Sequence, residues 1–321
     1  MKALVQDGYG SADVLHIREM EKPALTEGSV LVRVRAASVN ALDWHNVHGG
    51  TMIRLVSSLM RQKDVPVRGV DYAGVIEAVG PNVTRFVPGD EVFGSAPAAF
   101  AEYALTKEQG PAHKPATISF EQAACLGVAG KTALQGLRDV GHVKAGQRVL
   151  ICGAGGGVGT FAVQIAKALG AHVTAVTSTR NLDLVRGLGP DDLIDYNKED
   201  FTRSAERYDV IFDVAAHRPL SDLRRVLAPG GTLVMAGASK SGGLALFGRI
   251  GAALVRSRLL RQRVVFLMAK SSHDDLVFLT ELIAAGKLCP AIDRTYPFSE
   301  AAEAVRYVGT GQARAKVVIT M

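Results

Sequence analysis

The stretch RVLICGAGGGVGTFAVQIAKALGA, residues 148–171, restricts the fold more than any other part of this chain. A short run suited to a buried strand leads into Gly153, Gly155, Gly156, Gly157 and Gly159, and an apolar helical pattern follows at once. A dinucleotide loop requires this arrangement. One glycine makes the tight turn, another lets backbone approach a pyrophosphate, and a third lets the helix pack on the strand. The helix then offers unpaired N–H groups and the positive end of its dipole to phosphate. Ala154, Gly155, Gly156, Gly157, Val158 and Gly159 are therefore the expected phosphate cradle.

The surroundings extend the motif. HVTAVT precedes NLDLVRGLG, YDVIFDV precedes PLSDLRRVLAPGG, and TLVMAG and RVVFLMAK lead on to DDLVFLTELIAAG. Short apolar strands alternating with amphipathic helices mean βαβ crossovers and an α/β fold with a doubly wound parallel Rossmann sheet. Such sheets bind ligands at the carboxyl ends of their strands, which nominates Val214, Ala215, Gly237 and Ala238. An NAD site normally places an acid about 20 residues after the glycines. Here the tip reads Thr177, Ser178, Thr179, Arg180, with no acid. Hydroxyls and a guanidinium suit a 2′-phosphate, so NADPH is the expected cofactor. CLGVAGKT, residues 125–132, imitates an ATP phosphate loop, but Cys125 replaces its first glycine and no strand precedes it.

The first third is different. KALVQ, VLHIREM, SVLVRVRAASV, DEVFG and AEYAL are β-rich runs broken by turns such as TEGS and VPGD, the pattern of a small barrel or sandwich. The texture changes at Phe120 and again past Pro290, where KVVIT is β-like. Residues 1–120 and 291–321 are thus expected to form one domain and 121–290 the nucleotide-binding domain. The 321 residues, 48% hydrophobic, allow two cores of this kind. Cys125, Cys152 and Cys289 are scattered without a CxxC motif, which points to a reducing cytoplasm without disulfides. No uncharged apolar run reaches the roughly 18 residues of a membrane span, and MKALVQDGYG lacks the apolar core of a signal peptide. The net charge of +6 gathers at Arg249, Arg256, Arg258, Arg261 and Arg263. No aromatics interleave with them, so a basic amphipathic helix is expected rather than a nucleic-acid surface.

ASVNALDWHNVHGG, residues 37–50, sets Asn40, Asp43, His45 and His48 close together. Taken alone, these residues leave a zinc site, a metal-free catalytic site and a plain polar loop all open.

With the β-rich first domain, the inserted nucleotide domain and AGGGVG, the chain resembles the zinc-free medium-chain dehydrogenases/reductases, in their quinone oxidoreductase-like branch. VRVRAASVNALDWH, GVDYAGVIEAVGPNVTRFVPGDEVFG, STRNLDLVRGLG with DLIDY, and YPFSEAAEAVRYVGTGQARAKVVIT carry the resemblance over essentially the whole length. It implies a GroES-like β-barrel domain beside the Rossmann domain. Zinc alcohol dehydrogenases of the same superfamily have cysteine where this chain has Asn40 and Gly-His-Glu where it has Gly69-Val70-Asp71, and the third ligand region around CLGVAG is expected to offer glycine or apolar residues. No metal is therefore expected.

The resemblance also places Asn40 beside the nicotinamide, with His45 standing where the branch has a cofactor-touching tyrosine. His45 and Tyr72 are candidate proton donors, with water the third possible source. Ser178, Arg180 and Tyr196 are expected around the 2′-phosphate, and Thr132, Phe266, Leu267 and Lys316 at the cofactor. Two departures stand out: Ala315 replaces the glycine usual before Lys316, and Lys131 replaces an apolar residue. The expected reaction is metal-free, NADPH-dependent hydride transfer to quinones or α,β-unsaturated carbonyls, because a conjugated acceptor spreads the charge that zinc would otherwise stabilise. The rivals are zinc-independent alcohol or aldehyde oxidoreduction and a low-activity NADPH-binding protein, a sensor or RNA binder. A homodimer joined at the RVVFLMAK strand is expected, since an apolar edge strand needs cover.

Overall fold

The computed structural model describes residues 1–49, 67–236 and 262–321. Gly237 and Ala238, Arg249, Arg256, Arg258 and Arg261 lie outside the described residues. The chain forms two compact units, Met1–Lys131 with Lys270–Met321, and Thr132–Ala269.

The first unit opens with β1 (Lys2–Gln6) paired antiparallel to β2 (Leu15–Glu19). It continues through β3 (Ser29–Val39), α1 (Ala41–His48), β4 (Asp71–Val79), β5 (Glu91–Ser95), β6 (Tyr103–Lys107) and the short β7 (Ala112–His113). The long β3 pairs antiparallel with both β4 and β6, and β4 passes the ladder to β5 and then β7. Alternation along β3 sends Val30, Val32 and Val34 into a core with Tyr72, Ile76, Val92 and Phe100. After Ser119, whose hydroxyl caps it, α2 (Phe120–Ala124) runs into the π-type turn Leu126–Gly130 and then α3 (Lys131–Leu134).

The second unit is the parallel sheet that the glycine loop demands. β8 (Arg148–Cys152), α4 (Gly157–Ala168), β9 (His172–Thr177), α5 (Leu182–Arg186), β10 (Asp192–Asp195), β11 (Tyr208–Asp213), α6 (Leu220–Val226), β12 (Leu227–Met235) and β13 (Arg263–Phe266) alternate as expected. The strands lie in the order β10-β9-β8-β11-β12-β13, and every pairing is parallel. Winding reverses direction between β8 and β11, the switch point at which such sheets bind ligands.

The chain then rejoins the first unit through α7 (His273–Ala284), β14 (Ile292–Pro297), α8 (Ala301–Gly309) and β15 (Lys316–Thr320). β15 lies antiparallel to β3 and parallel to β14, completing a sheet of seven strands among the described residues. Composition places the divisions near 120 and 290, whereas the compact units divide after Lys131 and Ala269. The reason is α7: His273 Nδ1 lies 2.8 Å from the Pro111 carbonyl, and Leu279 packs on Gly130 so closely that a Cβ there would sit 2.9 Å from it. Amphipathicity tells that a helix has an apolar face, not which sheet receives it.

Candidate active site and cofactor loop

In the second unit, Gly153 ends β8 in a left-handed turn, φ +85°. A Cβ on Gly159 would lie 2.1 Å from the Gly153 carbonyl oxygen, so only glycine lets α4 start here. Gly156 is the N-cap of α4 and brings no side chain to its first-turn N–H groups, which are left for a ligand. The ends of β8 and β11 meet at the switch point, where a Cβ on Gly153 would come within 3.1 Å of both Val214 and Ala215. Thr132 begins the segment whose Gly136 lies against Phe212 and Leu267, and Phe266 ends β13. Of the described residues expected at the cofactor, Thr132, Ala154 to Gly159, Thr177, Ser178, Arg180, Tyr196, Val214, Ala215, Phe266 and Leu267 belong to this unit, and Asn40, His45 and Lys316 to the first. Sequence reading misses Asn181. Its side chain fills the space beside Gly155, 2.5 Å from where a Cβ on that glycine would stand, and its buried Oδ1 has no hydrogen-bond partner among the described residues. These residues fit a dinucleotide.

The tip of β9 carries buried Thr177, half-buried Ser178 and exposed Arg180, and the Tyr196 N–H donates to the Thr177 carbonyl at 3.0 Å. An acid is nearby after all. β10 runs parallel to β9 and delivers Asp195, which accepts from Thr179 Oγ1 at 2.6 Å and from the Asn197 N–H at 3.0 Å. The Thr179 hydroxyl holds its carboxyl below the usual range, and Lys198 lies 3.9 Å away. Asp195 is buried and occupied in this way, while Arg180 is exposed.

The polar end of β3 belongs to the first unit. Asn40 is the N-cap of α1, and its N–H donates to Asp43 Oδ2 at 2.7 Å. Its amide is spanned by opposite charges. Nδ2 donates to Asp71 Oδ2 at 2.9 Å, and Oδ1 accepts from the Lys316 ammonium at 2.7 Å. Asp71 is fully buried and also accepts from Ser95 Oγ at 2.9 Å and from the Val128 N–H at 2.9 and 3.0 Å. Burial pushes Asp43 up to about 7, with the Asp71 charge adding to the rise and Lys316 opposing it. Lys316 is expected at the cofactor; here its ammonium is committed to Asn40 and, at 3.4 Å, the Val39 carbonyl. Ala315 before it stands at φ +53°, the left-handed region in which glycine is at ease.

His45 is half-buried and edge-on to Trp44 at 5.1 Å, while exposed His48 stacks flat on the same indole at 4.9 Å. One indole therefore orders both imidazoles. Tyr72 faces the opposite side of β4 from Asp71 and is wholly buried in the apolar core, with burial holding its phenol far above the ordinary value. A group so enclosed is a poor proton donor.

Two fused halves, one a parallel dinucleotide-binding sheet and one an antiparallel sheet with a charged polar cluster at its strand ends, define a class of nicotinamide-nucleotide oxidoreductase. The family model described as "Alcohol dehydrogenase GroES-like domain" matches residues 26–127, and that described as "Zinc-binding dehydrogenase" matches residues 188–319. A chloroplastic quinone oxidoreductase of Triphysaria versicolor is 32% identical over 99% of this chain and 98% of its own. A chloroplastic NADPH-dependent alkenal/one oxidoreductase of Arabidopsis thaliana is 34% identical over 99% of this chain and 79% of its own. The structure of the Coxiella burnetii quinone oxidoreductase superposes with a TM-score of 0.87 at 29% identity, covering 100% of this chain and 99% of that one. The chain belongs to the medium-chain dehydrogenase/reductase superfamily, in its quinone oxidoreductase-like branch.

The second family description mentions zinc, so the donor set decides. Among the described residues, no three His, Cys, Asp or Glu side chains converge. A side chain at Gly127 would meet Asp71 Oδ1 at 2.1 Å, and the neighbouring Cys125 thiol is pushed up to about 12 by burial and stays protonated. With a lysine ammonium 2.7 Å from Asn40, these residues do not fit zinc.

Proposed function

We propose that this chain is an NADPH-dependent reductase of quinones and α,β-unsaturated carbonyl compounds that works without a metal. The observation that carries the reading is the Asn40 amide held between the Lys316 ammonium and Asp71, a fixed positive charge in a site whose residues do not suit zinc. NADPH, when bound, supplies a hydride. The backbone of Gly155–Gly159 and the start of α4 bind the pyrophosphate. Ser178 and Arg180 take the 2′-phosphate, which favours NADPH over NADH. In the first unit, the buried Lys316 ammonium and the Asp71 carboxylate hold the Asn40 amide, and Asn40 orients the nicotinamide or the acceptor carbonyl. Of the candidate donors, Tyr72 is enclosed in the core, and half-buried His45 is the side chain left to deliver the proton.

The names of the Triphysaria and Arabidopsis relatives support this acceptor class. Steady-state oxidation of NADPH with paired acceptors tests it: a quinone and an enone against the saturated ketone of the same skeleton. Turnover confined to the conjugated members is the expected result. Equal turnover of the saturated ketone would favour alcohol or aldehyde oxidoreduction, and binding without turnover would favour a nucleotide-binding protein.

Two further properties accompany the reading. β13 lies at the sheet edge with half-buried Val264, Val265 and Phe266, and Met268 just beyond is 79% exposed, so a second copy covering this edge gives a homodimer. Three free cysteines suit a reducing compartment, the cytoplasm among them. Relatives carry chloroplastic and mitochondrial names, and among the described residues no helix is long and apolar enough to cross a membrane.

A further inference from the structure

The charged cluster of the first unit does not end at Asp71. Lys131, the first residue of α3, is buried, and its Nζ donates to Ser95 Oγ at 3.3 Å. The same hydroxyl donates to Asp71 Oδ1 at 2.9 Å. One serine therefore joins a buried ammonium to a buried carboxylate. Gly127 makes the approach possible. A Cβ there would lie 2.1 Å from Asp71 Oδ1 and 2.7 Å from Ser95 Oγ, so the bare backbone closes over the carboxylate and gives it the Val128 N–H.

We propose that Lys131 is a positioning residue for the reaction: through Ser95 it fixes the Asp71 carboxylate, and Asp71 in turn fixes the Asn40 amide against Lys316. The proposal rests on the reading of the Asn40 end as the reacting site. An amide can be turned either way round, and here its orientation is set by a carboxylate on the Nδ2 side and an ammonium on the Oδ1 side. Both determinants are buried charges, and a buried charge holds its place only when compensated.

The charged groups around Asp71 show why Lys131 is required. Asp43 of α1 is a second buried carboxylate, and Asp275 of α7 is a third whose charge acts on Lys131. Lys316 of β15 answers them together with Lys131, and the Cys125 thiol is protonated and contributes no charge. Burial depresses the Lys131 ammonium, but Asp71 and Asp275 oppose that effect. Without Lys131, Asp71 would lose the ammonium that reaches it through Ser95, and the orientation of the Asn40 amide would loosen. Lys131 donates to Ser95 and not to Asn40, so it acts only through its neighbours.

The test uses K131M, which removes the charge, and K131Q, which keeps a donor for Ser95 without charge. Both are expected to lower kcat about tenfold to a hundredfold, the usual result of misplacing a reacting group, with the NADPH KM unchanged. D71N should fall comparably, and K131M/D71N no further than D71N alone. Wild-type kcat in K131M, full kcat in K131Q, or independent multiplying losses in the double variant would overturn the proposal. Should K131M fail to fold, the double variant must recover soluble, cooperatively melting protein; no recovery overturns the proposal as well. If the wild-type protein turns over no acceptor, the functional reading fails on its own. The Asn40 side-chain amide signal of 15N-labelled protein then decides: shifted or broadened in K131M as proposed, or unmoved against it.

Discussion

At the scale of single residues, the site is a set of charges placed where water cannot compensate them. Asp43 shows what this costs. Its folded pKa of about 7 lies above the ordinary 3.8, so the folded state holds a proton there that the unfolded chain has released. That contribution to stability is full below 3.8 and is lost as pH rises through about 7. Asp43→Asn, whose Oδ1 can still accept from the Asn40 N–H, is expected to stabilise the protein by about 1–3 kcal/mol at pH 8 and not at pH 4. Urea unfolding at both values checks this; equal effects at both would contradict it. Ala315 holds a different strain. At φ +53° it adopts a left-handed backbone at a cost, partly offset by the lower entropy of an unfolded alanine. Ala315→Gly should therefore raise stability by about 0.5–1 kcal/mol in the same measurement. His45→Phe is expected to lower kcat by about 10²–10⁴-fold and to flatten the pH profile of turnover, with NADPH affinity little changed. A loss of NADPH affinity with kcat intact would instead make His45 a wall of the cofactor site.

At the scale of elements, the readable signals are the local ones. β1, β3, β8 and β9 fall on the runs KALVQ, SVLVRVRAASV, RVLIC and HVTAVT, because alternation and unbroken apolar runs are properties of neighbours in sequence. β7 is two residues long, and β14 reads IDRTYP with polar residues on both faces, so neither announces itself. The glycine loop is legible because its chemistry is confined to one turn. The Asn40–Lys316 bond is not, since its partners are 276 positions apart, and the Ser95 link between Asp71 and Lys131 likewise joins three separate elements. Asp195 escapes notice for the same reason: it reaches the β9 tip from a neighbouring parallel strand. Its presence sharpens the test of the tip. Arg180→Ala is expected to weaken NADPH binding about tenfold to a hundredfold, the usual worth of hydrogen bonds to a charged group, and to leave NADH binding nearly unchanged. Fluorescence titration with both cofactors reads the ratio, and an equal loss for each would transfer the recognition role elsewhere.

At the scale of the whole molecule, the sheet edge at β13 and the charged cluster set separate expectations. Light scattering across micromolar concentrations should give twice the mass of the 34.0 kDa chain, and Val264→Lys on the edge strand should shift it toward the monomer. A monomeric wild-type protein would leave β13 uncovered and refute the dimer. Reduction of conjugated acceptors at an Asn40 amide held by buried charges, with no metal, is tested by the rate of NADPH oxidation with a quinone and an enone after exhaustive chelation, with metal content verified by elemental analysis. Full turnover is expected in the metal-free protein, with no increase when zinc is restored. Activity that disappears with chelation and returns with one equivalent of zinc would contradict it.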